Sequence, residues 1–474
     1  MEQALGRAGI AAAVLGDDDG LQAYVIDVDT TGRAQCILAE ASRLPANLVC
    51  VAARENFPRL ASGKIDYACL EQERLKRRTE VRSETGSVLG AYSRVFYPLT
   101  VGCNDSFVTL GGDSLRFLQL IMELERLDVH LPDGWEHLSI AELGNRSGRW
   151  PFKRKEARGL PTELVLRVMA ILLVVVHHET LWPIPGGSGV MMLLAGFSLA
   201  RFQSTHFLTG RFRHALRPAI DVLIPYFLIV AAYAVAWQAV PWASMTLTGN
   251  FGYAEPERHE MIPYLYWFIE AYAQTLLVFS LIFAVPAARR LAQVRPFAFS
   301  LGLLGLAVAA RFSIPPFVDI GNRQIFTIYW VFHLAVFGWC AGFADNPARR
   351  LILTAFAAAV LGYLALWETV WLGTTVKYLT IFAALLAVLY VPRVRLPGGV
   401  GRVVTLIAVS AFPIYLSHRF VLAPVASTLP APFFHLLAIT GGIGIGIVAG
   451  KAWASLRNLL SRSAMGRQPE LHSV

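Results

Sequence analysis

Ten apolar stretches follow one another between residues 161 and 458, and they restrict the possible folds more than any other feature. Stretches of this length and composition are typical of helices that cross a lipid bilayer. Residues 1–160 are instead charged and mixed in composition, as in soluble domains. The sequence therefore predicts a multidomain chain in which soluble domains precede an all-α polytopic membrane bundle of about ten transmembrane helices. The predicted spans are 163–180, 189–204, 218–240, 262–285, 296–313, 325–343, 350–367, 375–391, 402–423 and 434–456.

Basic residues concentrate in every second loop between these spans, and lysine and arginine in short loops favour the cytoplasmic side. Residues 1–20 lack the pattern of a secretory signal. We therefore expect a multi-pass protein of the cell inner (cytoplasmic) membrane, with both termini and the soluble half in the cytoplasm. The basic loops include residues 153–155, 211–217, 289–295, 349–350, 393–402 and 451–457, and the acidic or neutral loops lie near Glu255, Asp319, Trp371 and Ala426.

Charge and cysteine usage exclude several classes of function. The net charge of +9 is spread over the short loops, so it reflects membrane topology and does not indicate a nucleic-acid partner. The cysteines show no CxxC spacing, which argues against a disulfide framework or a zinc site, and we expect no metal. Two charged linkers, residues 71–84 and 146–160, separate the predicted domains, and the second carries Trp150 at a position that suits the lipid headgroups. The five cysteines are Cys36, Cys50, Cys69, Cys103 and Cys340.

The first predicted span carries an arginine near its start and a histidine pair at its end. Arg167 and His178 are eleven residues apart, which places them within about 20° of one helix face and roughly 16 Å apart along the axis. His177 lies about 80° off that face. Ionisable groups inside a spanning helix usually mark a functional site. The alternative is that Arg167 reaches the interface and the histidines cap the helix end.

Residues 1–75 show the order strand, helix, strand, at residues 21–29, 34–45 and 47–53, followed by Pro58–Asp66, which reads PRLASGKID. This order resembles the small C-terminal subdomain of adenylate-forming (AMP-binding) enzymes, an α+β unit. The resemblance implies that Lys64 is the lysine that reaches the acyl phosphate. The large ATP-binding domain of that family does not precede it, so we expect a separate acyl-activating enzyme as a partner. A relic or a truncated gene model remains the alternative.

Residues 81–147 centre on Asp105–Leu115, which reads DSFVTLGGDSL, followed by a helical apolar pattern at Leu115, Leu118, Ile121 and Met122. This unit resembles an acyl or peptidyl carrier domain, a four-helix fold. The resemblance implies a 4′-phosphopantetheine arm on Ser114 and places Asp113 on the surface that a phosphopantetheinyl transferase reads. Two alternatives are a plain helix N-cap and the nucleophile of a GDSL-type hydrolase, whose Asp-x-x-His pattern does not occur in this chain.

Five short motifs occur in order through residues 161–456 and resemble those of the acyltransferase family 3 membrane proteins. The resemblance implies transfer of acyl groups, commonly from acyl-CoA, to hydroxyls of glycans, lipids or small molecules. Ala195 stands where that family usually has a serine, so no role of that hydroxyl is carried over. The motifs are Arg167 to Ala170 with His178, Gly189-Val190 with Ala195–Phe197, the arginines before Pro225, Tyr266–Phe268, and Ala411–His418.

The candidate catalytic residues are ionisable or hydroxyl groups within these spans. A histidine suits the removal of a proton from an acceptor hydroxyl near neutral pH, and His178 is the candidate base, with Arg167 as the clamp for the donor's phosphate. Tyr415 and His418 share a helix face and line the far end of the same cavity, or else lie at the interface. Glu270 shares a face with Gln274 and needs a partner, for which an arginine before Pro225 is a candidate; its role is structural or catalytic. His333 is expected to hydrogen-bond within the bundle.

These features together predict an integral-membrane acyltransferase that moves an acyl or aminoacyl group from the Ser114-bound thioester to a hydroxyl or amine, with O-acyl transfer favoured. Tethering would raise the effective donor concentration. The expected partners are a phosphopantetheinyl transferase, an acyl-activating enzyme, membrane lipids, and a glycan, lipid or small-molecule acceptor. The alternatives are an acyltransferase that uses free acyl-CoA beside a vestigial soluble half, and a non-catalytic channel for an acyl product.

Overall fold

A computed structural model of the 474-residue chain divides into two units. The first contains Met1–Leu110, Gln119–Phe152 and Arg457–Val474, and the second contains Gly111–Leu118 and Lys153–Leu456. The structure describes residues 1–17, 20–27, 30–42, 49–54, 56–60, 62–72, 87–96, 99, 101–112, 114–127, 129, 131–132, 134–144, 159–180, 185–252, 261–318, 320–368, 374–421 and 430–465.

The first unit begins with a small α/β subdomain whose three strands form one sheet. Strand β1 pairs antiparallel with β2, and β2 pairs parallel with β3 in the register Leu21 to Val49. A parallel pair needs a crossover connection, which α2 provides. Apolar residues of the helices and of the sheet, including Leu5, Val25 and Leu38, form its core. The elements are α1 (Glu2–Arg7), β1 (Ala12–Asp17), β2 (Gly20–Val25), α2 (Thr31–Ser42) and β3 (Val49–Ala53).

The predicted strand, helix and strand are therefore present in the order that the sequence indicates. Strand β1 was not predicted, because its sequence AAVLGD is rich in alanine, which favours helices in isolation. Its pairing with β2 overrides that local preference, as is common for strands.

The segment that resembles the last adenylation motif folds as a tight turn. Gly63 has a φ of +81°, a value that favours glycine. The backbone N–H of Leu60 donates to Lys64 O at 2.8 Å, and the Arg59 guanidinium donates to Gly63 O at 2.7 Å. The Lys64 side chain is exposed at the end of this turn, so it is accessible to a partner, and its role stays a prediction.

The carrier-like region contains three α-helices and a short 3₁₀ helix at Trp135–His137 among the described residues, and the start of one helix, Ser114–Leu118, belongs to the second unit. An aromatic core holds them together: Phe107 packs edge-on against Phe96 at 5.5 Å and against Trp135 at 5.7 Å between ring centroids. The α-helices are α3 (Val88–Phe96), α4 (Ser114–Arg126) and α5 (Ile140–Gly144).

Helix α4 begins at Ser114, as the sequence predicts. Its fully buried positions include Leu120 and Leu124, whereas Ile121, part of the predicted apolar face, is only half-buried. Asp113 and the side chains of Ser114, Leu115, Leu118 and Met122 lie outside the described residues.

The second unit is an all-α bundle with one two-stranded sheet, in which β4 (Leu160–Pro161) pairs with β5 (Arg393–Val394). A π-helical turn at Leu199–Gln203 follows α7. The helices are α6 (Thr162–Thr180), α7 (Gly187–Ser198), α8 (Ser204–Leu208), α9 (Phe212–Ala215), α10 (Arg217–Trp237), α11 (Trp242–Met245), α12 (Met261–Ala284), α13 (Pro286–Val294), α14 (Pro296–Ser313), α15 (Ile328–Gly342), α16 (Pro347–Trp367), α17 (Thr374–Tyr390), α18 (Gly398–Val409), α19 (Ala411–Ser417) and α20 (Ala431–Met465, in this unit as far as Leu456).

Six helices of the described residues are long and apolar enough to cross a membrane, and a seventh span results if the bent pair Gly399–Val409 and Ala411–Phe420 is counted as one. The chain is therefore a multi-pass membrane protein. Each of the ten predicted spans coincides with a helix or a pair of helices, but α7 is only 12 residues long and α17 is a shorter apolar helix. The count of ten stays a prediction.

Helices α7 and α15 cross in direct backbone contact. A Cβ atom on Gly196 would collide with the carbonyl of Ala335, and one on Gly338 would collide with the carbonyl of Leu193. Small residues at such a crossing allow van der Waals packing that larger side chains prevent. Gly196, within the predicted Ala195–Phe197 motif, is therefore required for packing.

Replacing Gly338 with alanine is expected to destabilise the bundle by about 1–3 kcal/mol, because the added methyl group forces α7 and α15 apart. Gly305→Ala on α14 is the matched control, since nothing lies within 4 Å of its added Cβ. It should be neutral or stabilise by about 0.5–1 kcal/mol, as alanine favours helix. The melting temperatures of both variants in detergent measure the difference, and equal melting temperatures would contradict the close crossing.

Candidate active site

Helix α6 carries both residues that the sequence analysis placed at the centre of the site. It runs without a break from Thr162 to Thr180. The stripe between the arginine and the histidine, which includes Ala170, Ile171 and Val174, is buried. The helix face that connects Arg167 and His178 is therefore packed inside the bundle.

The imidazoles of His178 and His418 form a direct pair. His178 Nδ1 lies 3.0 Å from His418 Nε2, and the rings stack with centroids 5.2 Å apart. The sequence predicted Tyr415 and His418 at the far end of the cavity or at the interface, whereas His418 is 1% exposed and in contact with the candidate base.

The backbone around His418 fixes the protonation of both rings. His418 Nδ1 faces the carbonyl oxygens of Ile414, at 3.1 Å, and Tyr415, at 2.9 Å. Carbonyls only accept, so Nδ1 carries the proton and the neutral ring accepts at Nε2. His178 Nδ1–H must then donate to His418, which leaves His178 Nε2 with a free lone pair. The pair therefore presents one unprotonated imidazole nitrogen, as a general base requires.

Arg419 secures the end of α6 beside this pair. Its guanidinium donates to the carbonyl of His178 at 3.0 Å and contacts the Glu179 carboxylate at 3.4 Å. A cation at a helix C-terminus satisfies carbonyls that lack an intrahelical partner. The position of His178 is thus fixed through the main chain as well as through the ring.

Two tyrosines bind α19 to α12 by reciprocal hydrogen bonds. The Tyr415 hydroxyl donates to Leu265 O at 2.7 Å, and the Tyr266 hydroxyl donates to Leu416 O at 3.0 Å. Both side chains are almost fully buried. Tyr266 and Tyr415, which lie in two of the family-like motifs, therefore join α12 to the short helix that precedes His418.

Helix α20 packs against α19 through small residues. A Cβ on Gly446 would collide with Ile414, and one on Gly442 would lie 2.8 Å from the carbonyl of His418. This close contact packs α19, the short helix that ends just before His418, against α20.

Glu270 lies in a separate, buried hydrogen-bond network. Its carboxylate accepts from the Tyr226 hydroxyl at 3.3 Å and from the backbone N–H of Asn250 at 2.8 Å. Gln274 joins the same network through the Asn250 side chain, with contacts of 2.9 and 3.0 Å. These contacts connect α10, α12 and the turn at Gly249–Phe251, which favours the structural alternative for Glu270; the predicted arginine partner stays a prediction.

Neither ring nitrogen of His333 has a hydrogen-bond partner in the part of the chain that the structure describes. The expected hydrogen bond within the bundle is therefore not found, and the ring instead packs against Phe337 at 6.3 Å. No group of metal-ligating side chains occurs among the described residues.

A cavity lies beside α6, between α7, α10, α12 and the bent pair α18 and α19. Most of its wall is apolar, and its polar side chains include Arg167, Gln203 and Asp221. A mostly apolar wall with a few polar groups is typical of sites for small organic ligands. The lining residues are Arg167, Met191, Leu194, Ala195, Ser198, Leu199, Gln203, Pro218, Asp221, Val222, Phe268, Tyr272, Ala408, Ala411 and Phe412.

A chain of ring contacts connects the cavity to the histidine pair. Phe268 lines the cavity and packs edge-on against Tyr415 at 5.7 Å. Tyr415 contacts His418 at 6.4 Å, and His418 stacks on His178. Arg167 therefore lines the cavity directly, whereas His178 is not among its lining residues and is connected to them through His418 and Tyr415.

Two polar residues of the cavity were missed by the sequence analysis. Asp221 is an ionisable residue within a predicted span, the same signal that identified Arg167. Gln203 carried no signal, because an amide side chain near a helix end is common. The Gln203 side chain donates to Gly112 O at 2.7 Å, and its buried Oε1 has no partner among the described residues.

Comparison with known proteins adds one relative and one family. The chain is 29% identical over 146 residues to the PKS-NRPS hybrid synthetase ATPKS of Aspergillus niger, a match that covers 28% of this chain and 8% of that curated relative. No solved structure matches the chain. Residues 165–455, more than half of the chain, match the family described as an acyltransferase domain, and the protein therefore belongs to acyltransferase family 3.

Proposed function

We propose that the chain transfers an acyl or aminoacyl group from a thioester on its own carrier domain to a hydroxyl, or an amine, of a glycan, lipid or small-molecule acceptor. Family membership supports acyl transfer. The carrier resemblance of residues 81–147 and the partial similarity to a hybrid synthetase support the carrier as the donor. The acceptor class rests on the family resemblance.

The observation that carries the proposal is the position of Gln203. This residue lines the cavity and also donates a hydrogen bond to Gly112, two residues before the predicted arm-bearing Ser114. One side chain therefore touches both the loop that would present the donor and the space that would receive it.

The residues present fit a phosphopantetheine arm. Ser114 begins α4, and a helix N-terminus favours the attached phosphate. Gln203 Oε1, a buried acceptor without a partner among the described residues, suits an amide N–H of the arm, and Arg167 supplies a cation in the cavity wall. When bound, the arm supplies the acyl group as a thioester.

The histidine pair provides the proton transfer. His178 accepts at Nε2 the proton of the attacking hydroxyl or amine, and His418 holds its ring in the tautomer that leaves Nε2 free. A C–O or C–N bond to the acyl carbon would replace the C–S bond that the arm supplies. The proton held on His178 Nε2 would pass to the sulfur, so that the base is restored and no further reagent is needed.

A single-turnover measurement tests the proposal. The full chain is loaded on Ser114 with a labelled acyl-phosphopantetheine by a promiscuous phosphopantetheinyl transferase, freed of acyl-CoA, and incubated with host membrane extract. We expect the label to leave the protein and enter an acceptor fraction. Label that stays on the protein throughout, while membranes with added acyl-CoA are acylated, would refute carrier-dependent transfer. Intact mass of the arm from the native host then names the acyl group.

Replacing His418 with alanine is expected to lower transfer by about tenfold or more, because His178 loses the acceptor that fixes its tautomer. His418→Asn keeps a polar group of similar size and should recover part of the rate. Since the role is positional, the pH–rate profile of the alanine variant should change as well as its rate. An unchanged profile and rate would exclude His418 from the site.

The proposal includes the location of the protein and its partners. We place the protein in the cell inner membrane with ten spans, and with the carrier and both termini in the cytoplasm, on the distribution of basic loops. The partners are a phosphopantetheinyl transferase and a separate enzyme that activates the acyl group, with the Lys64 turn as the remnant or the docking element of an adenylation subdomain.

A further inference from the structure

Residues Gly111–Leu118 belong to the second unit, together with the apolar helices. This segment contains Ser114, so its contacts determine where a thioester on that serine would be presented. Two further side chains of the segment, Arg116 and Phe117, are almost fully buried.

Arg116 forms an ion pair with Asp221, near the start of α10. The arginine side chain is 3% exposed and the aspartate 18%. Removing one partner of such a buried ion pair leaves the charge of the other partner uncompensated, which is strongly unfavourable. Asp221 also lines the cavity, so the pair fixes the segment at the cavity's edge.

Phe117 packs against an aromatic ring and a guanidinium group of the π-helical turn. Its ring lies 5.3 Å from the ring of Phe202, and the Arg201 guanidinium lies 5.0 Å from it. Arg201 is held in place by Glu163 of α6, at 2.6 Å. Aromatic pairs and cation–π contacts each add to apolar burial.

We propose that Asp221, Arg201 and Phe202 form a recognition surface that selects this chain's own carrier. This surface recognises an arginine two residues after the serine that carries the arm, and an aromatic residue three residues after that serine. This inference rests on the proposed function and adds its specificity. A carrier with an acidic residue at the position of Arg116 would place a like charge against Asp221, and a like-charge contact of this kind rejects wrong partners.

A charge exchange in the full chain tests the ion pair. Arg116→Glu and Asp221→Arg, each alone, are expected to lower single-turnover transfer from the loaded arm by about 10–100-fold. The double variant restores the opposite charges in exchanged positions and should recover most of the rate. Arg94→Glu is the matched control, because it breaks the Arg94–Glu123 pair within the carrier-like region and should leave transfer near wild type.

Loading of Ser114, read by intact mass, should be equal in the wild type and in Arg116→Glu. If the double variant stays as slow as the single variants with normal loading, or if Arg116→Glu transfers at the wild-type rate, the recognition surface is wrong.

Photo-crosslinking separates docking from chemistry. With p-benzoylphenylalanine at position 117 of the full chain, irradiation should link that residue to a peptide that contains Arg201 and Phe202, and Asp221→Arg should reduce the yield severalfold. A crosslink without any label transfer would overturn the proposed function but support the docking surface. Transfer without this crosslink would support the proposed function and overturn the docking surface.

Discussion

Replacing His178 with alanine is expected to lower acyl transfer by about 10²–10⁴-fold, the usual contribution of a positioned general base. The variant loses His178 Nε2, which the hydrogen bonds among the described residues leave available to accept a proton. Intact mass should show Ser114 fully loaded, because the attachment of the arm uses a separate enzyme. The measurement is release of label from the loaded full chain in a single turnover.

His177→Ala is the matched control for this variant. It removes an imidazole from the adjacent position of the same helix, with its ring centroid 6.3 Å from that of His178, and it lies outside the His178–His418 pair. We expect near wild-type transfer. Transfer by His178→Ala at the wild-type rate would exclude His178 as the base and would favour a channel for an acyl product.

Replacing Ser114 with alanine is expected to abolish both arm attachment and carrier-dependent transfer. Without the covalent donor, the effective concentration of thioester falls from roughly millimolar, typical of a short tether, to that of any free donor in solution. A membrane acyltransferase that uses free acyl-CoA beside a vestigial soluble half predicts instead that Ser114→Ala leaves activity unchanged. Intact mass and transfer to host membranes are measured together.

Ser139→Ala controls for the loss of a helix cap. Ser139 caps α5 in a capping box with Glu142, with contacts of 2.7, 2.9 and 3.3 Å. Its replacement should cost about 1 kcal/mol of stability while loading and transfer persist. If both serine variants load and transfer equally, Ser114 is only an N-cap and the carrier assignment is wrong.

The sequence predicted those parts of the site that depend on one helix. Arg167 and His178 are encoded by spacing within α6, and the buried stripe between them follows from the helical period. The meeting of His178 with His418 joins residues 240 positions apart in the chain, and no local pattern contains that information. The contact depends on the tyrosine bonds between α12 and α19 and on the close approach of α20, which are tertiary effects.

Two elements of the fold also differ from what local sequence preferences indicate. Strand β1 was not predicted from the sequence, and it is recognised only by its pairing with β2. The ninth predicted span was drawn as one continuous helix, 402–423, whereas the chain bends by 58° between α18 and α19. Asp221 could have been found, because the rule that selected Arg167 applies equally to an aspartate within an apolar span.

The bend between α18 and α19 has a consequence for the environment of the cavity. A helix that breaks leaves main-chain N–H and C=O groups without intrahelical partners, and hydrocarbon cannot satisfy them. Ala408 and Ala411, on either side of the break at Ser410, both face the cavity. A sugar or another strongly polar acceptor that enters the cavity would therefore meet the peptide groups of this break in place of lipid tails.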